Sequence, residues 1–190
     1  MSNNGNNASN VTAGKPKIGG AIFSAPLGTA LPTSTSEALA EGFTCLGYVS
    51  DEGVSNDNSP SSQSVKAWGG DTVLNVQTER PDTFKLTLLE TMLIDVKKNI
   101  YGDDNVTEVN GEIVTKVTSE ELPGKSYVID MALKDGVKQR IVIPEGRISA
   151  LDTIKYADNS AVGYGITIND IADTNGGYHY EYLAGQEVSG

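Results

Sequence analysis

The stretch Val65–Gly102, VKAWGGDTVLNVQTERPDTFKLTLLETMLIDVKKNIYG, sets out the main structural pattern of the chain. Residues 73–78 alternate between a polar face and a more apolar one, which is the period of a β-strand. Pro81 in ERPD indicates a turn, because proline lacks the backbone N–H that a central strand needs. Residues 84–88 again place apolar side chains at alternate positions. The stretch therefore predicts a β-hairpin made of two adjacent strands.

A helical period follows the second strand. Four apolar residues at i, i+4, i+7 and i+11 form one stripe: Leu89, Leu93, Val96 and Ile100. Glu90 near the start and Lys97 near the end suit the helix dipole, and Gly102 stands where a helix ends. The sequence predicts one amphipathic helix at about 90–101 that flanks the sheet.

Composition limits the classes of protein that the chain can belong to. Its 190 residues fit one domain with long appendages, since only 38% are hydrophobic. The formal net charge of −11 repels phosphate and argues against ordinary nucleic-acid binding. This charge has two equally open explanations, and the first is solubility alone. The second explanation is a surface that faces DNA without binding it.

Cysteine usage and hydropathy indicate where the chain folds. The single cysteine, Cys45, allows no intrachain disulfide, and we expect it to be a small buried hydrophobe. The sequence has no run of about 18 apolar residues, so it predicts no membrane span. The N-terminus lacks the apolar centre of a signal peptide, so we expect synthesis and folding in a cytoplasm.

Two polar segments lie outside the predicted core. Residues 1–16 are rich in Asn, Ser and Gly and predict a flexible N-terminal arm, which leaves 17–190 as a single domain. Residues 51–64 predict a long polar loop that becomes ordered against a neighbouring subunit. We expect Trp68 to fill the joint between this loop and the sheet. The candidate contact residues are Asp51, Asn56, Asp57, Asn58, Ser59, Ser62 and Trp68.

The rest of the chain predicts short strands. A first strand begins near Lys17, and Ser36 caps a short helix through Ala40. The second half predicts a hairpin at Asp135–Gly136, another around Asp158–Asn159, and a last strand in YHYEYL. The predicted fold class is mainly β. It is a β-sandwich or partly closed barrel of antiparallel strands with the one flanking helix.

No motif predicts an enzyme, a cofactor or a metal site. The only histidine, His179, is flanked by tyrosines on a predicted edge strand, where packing is the expected role. The acidic clusters DEG and YGDDNV lack the ligand spacing of a calcium loop and are interpreted as solvated turns. GKPKIGG lacks the spacing of a phosphate-binding loop.

Self-association is the function that the residues themselves favour. The arm and the long polar loop have no role inside one domain, and several edge strands need protection from pairing. A head-to-tail interface that closes gives a ring, and stacked rings give a tube. The alternative is an adhesin or receptor-binding module that binds host carbohydrate through Trp68 and Tyr178–Tyr182. A hydrolase would need clustered catalytic residues.

Several segments, in order, resemble the major tail protein (tail tube protein) of long-tailed phages of Gram-positive bacteria. They are GYVSDEGVS, KAWGGDTVLNVQTERPDTFKLTLLE, IYGDDNV, KQRIVIPEGRIS and AVGYGITI, and the similarity covers Ile18 to Leu183. The resemblance implies a β-sandwich-like fold and hexameric rings stacked into a hollow tube. It also implies that the genome passes through this tube at infection.

The resemblance also implies partners and a location. The partners are the tape measure protein, the tail terminator and the tail-tip proteins, and double-stranded DNA passes without specific binding. The protein is then a virion component of the phage tail, assembled in the host cytoplasm. The residues and the resemblance together suggest an acidic inner wall that repels phosphate. Our candidates for it are Asp82, Asp152 and Asp158.

Overall fold

The computed structural model describes residues 5–184, and this part of the chain is mainly β. It contains one α-helix, α1, Ile94–Tyr101. The strands are β1 Lys15–Pro16, β2 Ile22–Pro26, β3 Thr44–Cys45, β4 Val49–Asp57, β5 Ser61–Lys66, β6 Thr72–Glu79, β7 Thr83–Leu88, β8 Val106–Val109, β9 Glu112–Thr115, β10 Lys125–Ala132, β11 Lys138–Leu151, β12 Tyr164–Ile171 and β13 Tyr180–Leu183. Short 3₁₀ turns lie at Ala8–Asn10, Asp103–Asn105 and Lys134–Gly136.

The main sheet runs in the order β3-β2-β10-β11-β12-β7-β4, and β1 and β13 pair with β10 and β11. All of its pairs are antiparallel. The long strand β11 changes neighbour along its length, pairing with β13 through Gln139–Val142 and with β12 through Glu145–Leu151. A strand shared in this way lets a sheet fold over on itself. Of the two predicted forms, the β-sandwich is confirmed, because the sheets do not close into a barrel.

The core lies between the central strands and α1. Val96 and Ile100 of the helix are buried together with Tyr127, Ile143 and Ile168 of the strands. Full burial of each such aliphatic side chain contributes about 1.5–3 kcal/mol. The helix that was predicted to flank the sheet therefore does so, and the apolar stripe is the reason.

The helix begins later than predicted, at Ile94 instead of near 90. Leu89 N–H donates to the carbonyl of Tyr48 at 2.9 Å, which continues the strand pairing. The Glu90 carboxylate then accepts a hydrogen bond from the Tyr48 N–H at 3.0 Å. These contacts continue the strand pairing as far as Leu89, and the chain then turns, with the Leu93 N–H donating to the Glu90 carbonyl at 3.0 Å, before the helix begins. The predicted end is confirmed, since Gly102 has φ 95° and its N–H donates to the Lys98 carbonyl.

The predicted pairing of the strands in the opening stretch is wrong, although both strands exist. β6 pairs with β5, whereas β7 lies between β4 and β12. The predicted loop at 51–64 is also wrong, because β4 and β5 occupy most of it. Its polar side chains indicated a loop. They are instead carried by strands whose faces are open to solvent.

The short helix predicted from Ser36 to Ala40 is absent from the structure. The carbonyl of Glu37, inside the predicted helix, and that of Ser34, just before it, accept hydrogen bonds from Arg140 Nη1 at 2.7 and 2.9 Å. Glu37 folds back onto Thr33 N–H at 2.7 Å. The segment is therefore held as a series of bends against β11.

Three further expectations need correction near the N-terminus. Lys15 and Pro16, assigned to the arm, form β1 against the end of β10. The first core strand starts at Ile22 and not near Lys17, because Gly19 and Gly20 have positive φ values of 88° and 134°. Cys45 is only half-buried, and its Sγ accepts a hydrogen bond from the Gly47 N–H.

The hairpins of the second half are confirmed. Asp135 and Gly136 have φ values of 58° and 76°, which is the left-handed turn that joins β10 to β11. β11 and β12 pair across the connection that contains Asp158 and Asn159. The last strand, β13, pairs with β11.

Candidate subunit interface

β5 and β6 form a two-stranded sheet that is separate from the main sheet. Every residue from 55 to 81 is exposed, so neither face of this sheet packs on the rest of the subunit. We call residues 58–81 the projecting hairpin. An isolated two-stranded hairpin is marginally stable in water. A long one is therefore expected to gain stability from contacts outside its own subunit.

The register of the projecting hairpin gives it one apolar and one polar face. Val65 lies opposite Leu74, and Gln63 lies opposite Val76. Opposed residues share a face, so Val65, Leu74 and Val76 form one apolar row, and they are 49%, 53% and 45% exposed. The other face carries mainly hydroxyl and amide side chains, those of Ser62, Ser64, Asn75 and Gln77, and Val73 is exposed at the bulge next to them. An exposed apolar row with a polar reverse side is typical of a surface that another chain covers.

Trp68 lies at the tip of the projecting hairpin and is fully exposed. The turn is closed by the Ala67 N–H, which donates to the Asp71 carbonyl at 2.8 Å. The prediction that Trp68 fills a joint between loop and sheet is therefore wrong for the subunit. A fully exposed tryptophan at the end of a projection is the kind of side chain that dominates protein interfaces.

The root of the projecting hairpin is fixed by hydrogen bonds. Asn56 Nδ2 donates to Asp82 Oδ1 at 2.7 Å and to the Thr83 carbonyl at 3.2 Å. Next to it, the Ser59 N–H donates to the Asp57 carboxylate and lowers its pKa. The two chain segments that lead into and out of the hairpin are thus joined before it extends into solvent.

The candidate contact residues lie along this element and are all exposed. Asp51 lies in the irregular part of β4, where the register against β7 shifts between Val49 and Val54. The others follow in order from the end of β4 to the hairpin tip: Asn56, Asp57, Asn58, Ser59, Ser62 and Trp68. The first three candidates thus belong to the main sheet and the other four to the projecting hairpin, whose apolar row was not among the predicted contacts.

A second exposed hairpin was not predicted. β8 and β9 pair with each other alone, and Asn110 and Gly111 form the turn with φ values of 53° and 82°. Asn-Gly between alternating residues is the sequence signal that could have identified it. Val109 and Val114 are 53% and 50% exposed, so this hairpin also offers apolar surface.

The three candidate wall residues differ in exposure. Asp152 and Asp158 are exposed in the connection between β11 and β12. Asp152 also borders a shallow polar cleft with Glu52, Lys85 and Thr167. Asp82 is buried and hydrogen-bonded in the subunit, so its carboxylate does not face solvent there, which leaves Asp152 and Asp158 as the exposed candidates.

Asp82 belongs to a buried cluster with Asp170 and His179, and the ligand atoms of the three side chains lie within 4.8 Å of one another. His179 Nδ1 contacts Asp82 Oδ2, and the imidazole packs edge-on against Phe84 at 5.2 Å between ring centres. Burial, and then the charge of Asp82, raises the pKa of Asp170 to about 8. Sequence reasoning missed this cluster because 97 residues separate Asp82 from His179.

The aromatic residues of the alternative carbohydrate site lie on separate elements of the subunit. Trp68 lies at the hairpin tip, whereas Tyr180 and Tyr182 belong to β13. The Tyr180 hydroxyl donates to the Asp173 carboxylate at 2.8 Å, which raises the pKa of the tyrosine. Among the described residues, no helix has the length and apolar character to cross a membrane.

Comparison with known protein families places the chain among the structural proteins of bacteriophage virions. The matching family is the phage tail tube protein, and its model covers residues 3–187 of the 190. The chain belongs to this family. A search of curated proteins found no match.

Membership confirms the resemblance seen in the sequence. The family is one of structural tail proteins and is not an enzyme family. It implies that copies of the chain assemble into a multi-subunit tube.

Proposed function

We propose that this tail tube protein forms hexameric rings that stack into a hollow conduit for genome delivery. The observation that carries the proposal is the projecting hairpin, whose apolar row Val65, Leu74 and Val76 has no partner within the subunit. In this arrangement the row packs on a neighbouring subunit. Burial there removes apolar surface from water at a gain of about 25 cal/mol per Å².

The shape of the hairpin suits a joint between subunits. Its root is fixed by Asn56 and Asp82, whereas its tip presents Trp68 well away from the core. Asn58 and Ser59 lie at the root and Ser62 on the polar face, so a neighbouring chain that packs along the whole hairpin contacts all three. The N-terminal arm then joins adjacent rings.

The charge of the chain supports the conduit part of the proposal. At −11 per subunit, a closed tube has a strongly acidic interior if even a part of the excess faces inward. Exposed Asp152 and Asp158 are our candidates for that wall. Like charge raises the energy of phosphate contacts, so duplex DNA moves along the bore without binding.

The setting follows from the same proposal. The subunit assembles in the host cytoplasm and becomes part of a long, noncontractile tail of the siphovirus type. A tape measure protein would occupy the growing tube, tail-tip proteins would initiate it and a terminator would end it. These partners would meet the tube at its inner wall and its two ends.

Deletion of the projecting hairpin tests the proposal. Asp57 and Thr83 are paired neighbours in β4 and β7, so replacing residues 59–80 by Gly-Asn leaves a short connection between them. Because the deleted residues are exposed, we expect the variant to fold and melt like the wild type. The measurement is electron microscopy of both proteins at high concentration, with tail-tip complexes added as initiators.

The expected result is six-fold rings and tubes from the wild type and isolated subunits from the variant. Normal tubes from the variant would remove the hairpin from the interface. Wild-type protein that stays monomeric with the initiator, and that binds host glycans through Trp68, would favour the adhesin alternative instead.

A further inference from the structure

We propose that Asp82, Asp170 and His179 form a binding site for a divalent metal ion, with Zn²⁺ the best fit, at the root of the projecting hairpin. One carboxylate oxygen from each aspartate and one imidazole nitrogen lie within 4.8 Å of one another. The three residues come from separate parts of the chain, before β7, within β12 and before β13. Tertiary structure alone brings them together.

The unpartnered carboxylate of Asp170 is the independent observation that points to a ligand. The residue is 3% exposed, and neither of its side-chain oxygens has a hydrogen-bond partner. Leaving both oxygens of a buried carboxyl group without a partner is costly whether the group is ionised or protonated, because buried polar groups in proteins are normally hydrogen-bonded and buried charges are paired or bound to metal. The nearby Asp82 adds a second negative group and increases the cost. A cation bound between the two carboxylates offsets this free-energy cost.

The donor set favours zinc over the alkaline-earth ions. Ca²⁺ takes six to eight oxygen ligands, and Mg²⁺ keeps several waters, so a buried site with one imidazole and two carboxylates suits neither. Zn²⁺ accepts both donor types, and three protein ligands with one water complete its tetrahedral shell. Mn²⁺ shares the oxygen preference and is the natural competitor in a test.

Outer hydrogen bonds already orient two of the three groups. Asn56 Nδ2 donates to Asp82 Oδ1 at 2.7 Å, which leaves Oδ2 directed toward His179. Glu181 Oε1 lies 3.4 Å from His179 Nε2, on the far side of the ring from Asp82. Carboxylates and amides in this position commonly fix the ligands of metal sites.

A metal ion here would stiffen the hairpin where it leaves the domain. Asp82 directly follows Pro81 at the end of the projecting hairpin, and Asn56 lies on the strand that leads into it. The effect on assembly rests on the proposed tube function. Binding of the ion does not depend on that function.

The test uses the full chain, stripped with EDTA, dialysed and titrated with Zn²⁺ alone. We expect one zinc per subunit by calorimetry. We also expect a rise in melting temperature of about 5–10 °C when free Zn²⁺ is one hundred times its dissociation constant. Parallel titrations use Mn²⁺, Ca²⁺ and Mg²⁺. No rise with zinc, or an equal rise with calcium or magnesium, would overturn the assignment.

Variants locate the ion within the subunit. Asp170→Asn keeps the shape but lowers the charge, so without metal it should melt at or above the wild-type temperature, and the zinc-dependent rise should disappear. His179→Gln should abolish the rise as well. The control, Asp158→Asn, removes one exposed carboxylate and should bind zinc like the wild type. A zinc response that persists in Asp170→Asn would assign the ion to surface carboxylates and end the proposal.

Cobalt provides a second readout that does not depend on stability. Co²⁺ in the site should give the visible absorption of a four-coordinate ion in the wild type and in Asp158→Asn, but not in His179→Gln. Tube formation is then compared with and without EDTA. If zinc binds but tubes form equally well in both, the link to assembly fails while the metal site stands. If no zinc binds and tubes form, the metal site fails and the tube function stands.

Discussion

Arg140 and Asp130 face each other across β11 and β10 and form a buried, two-pronged ion pair. Arg140 Nε donates to Asp130 Oδ1 at 2.6 Å and Nη2 donates to Oδ2 at 2.9 Å. Both residues are 3% exposed. Lys17 adds a third hydrogen bond to the same carboxylate at 2.9 Å, and Arg140 also holds two carbonyls of the 34–37 segment. One guanidinium thus ties the N-terminal region to the centre of the sheet.

Removal of the Asp130 charge should destabilise the subunit strongly. Asp130→Asn leaves the Arg140 guanidinium buried without its counterion, and the loss of one partner from a buried pair costs about 3–5 kcal/mol. Urea unfolding at neutral pH, followed by circular dichroism, measures the free energy of unfolding. Asp158→Asn, at an exposed position, is the matched control and should change it by less than about 0.5 kcal/mol. A loss below 1 kcal/mol for Asp130→Asn would mean that the pair does not organise the fold.

The same pair predicts a pH dependence. Burial raises the pKa of Asp130, but hydrogen bonds and charge from Arg140 and Lys17 outweigh this effect and hold it below its usual value. A lowered pKa in the folded state gives stability that is present above the unfolded pKa of about 3.9 and is lost as the pH falls through the folded pKa. The difference in unfolding free energy between wild type and Asp130→Asn should be constant above about pH 5 and shrink below about pH 4. A difference that grows on acidification would contradict the assignment.

The elements that the sequence predicted are those whose residues carry a local signal. Asp135–Gly136 specifies its turn by left-handed backbone angles, and the stripe of Val96 and Ile100 specifies a helix on a core. The pairing partner of a strand is not encoded by such a local signal. The strand at 73–78 is recognisable by its period, yet its partner is the segment 61–66, in which Val65 is the one apolar side chain and no alternation is visible.

The sites were harder to predict than the strands, for a related reason. Asp82 looked like a turn carboxylate, but Asn56 and His179 reach it from distant parts of the chain and bury it. Ser34 Oγ accepts a hydrogen bond from the Glu37 N–H, as at a helix start, but Arg140 contacts the carbonyls of both residues and the segment forms bends instead of a helix. Both outcomes depend on residues that only the folded chain brings together.

The two faces of the projecting hairpin should behave differently when substituted. Leu74→Ser removes apolar surface from the exposed row, so the subunit should keep its melting temperature while tube formation should require about tenfold more protein, or 1.4 kcal/mol. Asn75→Ser changes the neighbouring residue on the polar face and serves as the control. Sedimentation of polymer over a range of protein concentrations gives the critical concentration. Equal values for the two variants would indicate that the apolar row is not buried on assembly.

Trp68 at the hairpin tip should matter for assembly and not for folding. Since the side chain is fully exposed in the subunit, Trp68→Ala should leave the free energy of unfolding within about 0.5 kcal/mol of the wild type. If the tip enters a pocket on a neighbour, its truncation should weaken association by about 2 kcal/mol or more. Tryptophan fluorescence offers a direct check, because Trp68 is the only tryptophan and its emission should shift to the blue on assembly. Unchanged emission in tubes would place the tip in solvent.

Reversal of charge at the proposed wall tests the conduit. Asp152→Lys and Asp158→Lys lie on an exposed connection, so they should leave folding and tube assembly intact. Lysines inside the bore would attract phosphate and release bound counterions, so genome ejection should become slower, most clearly at low salt. Lys98→Glu, on the helix, changes charge elsewhere and serves as the control. Particles that carry both lysines are compared with the wild type by the rate of DNA release. Because attraction to phosphate weakens with ionic strength, the delay should fade as salt is added. Equal release rates at low salt would place these two aspartates away from the DNA.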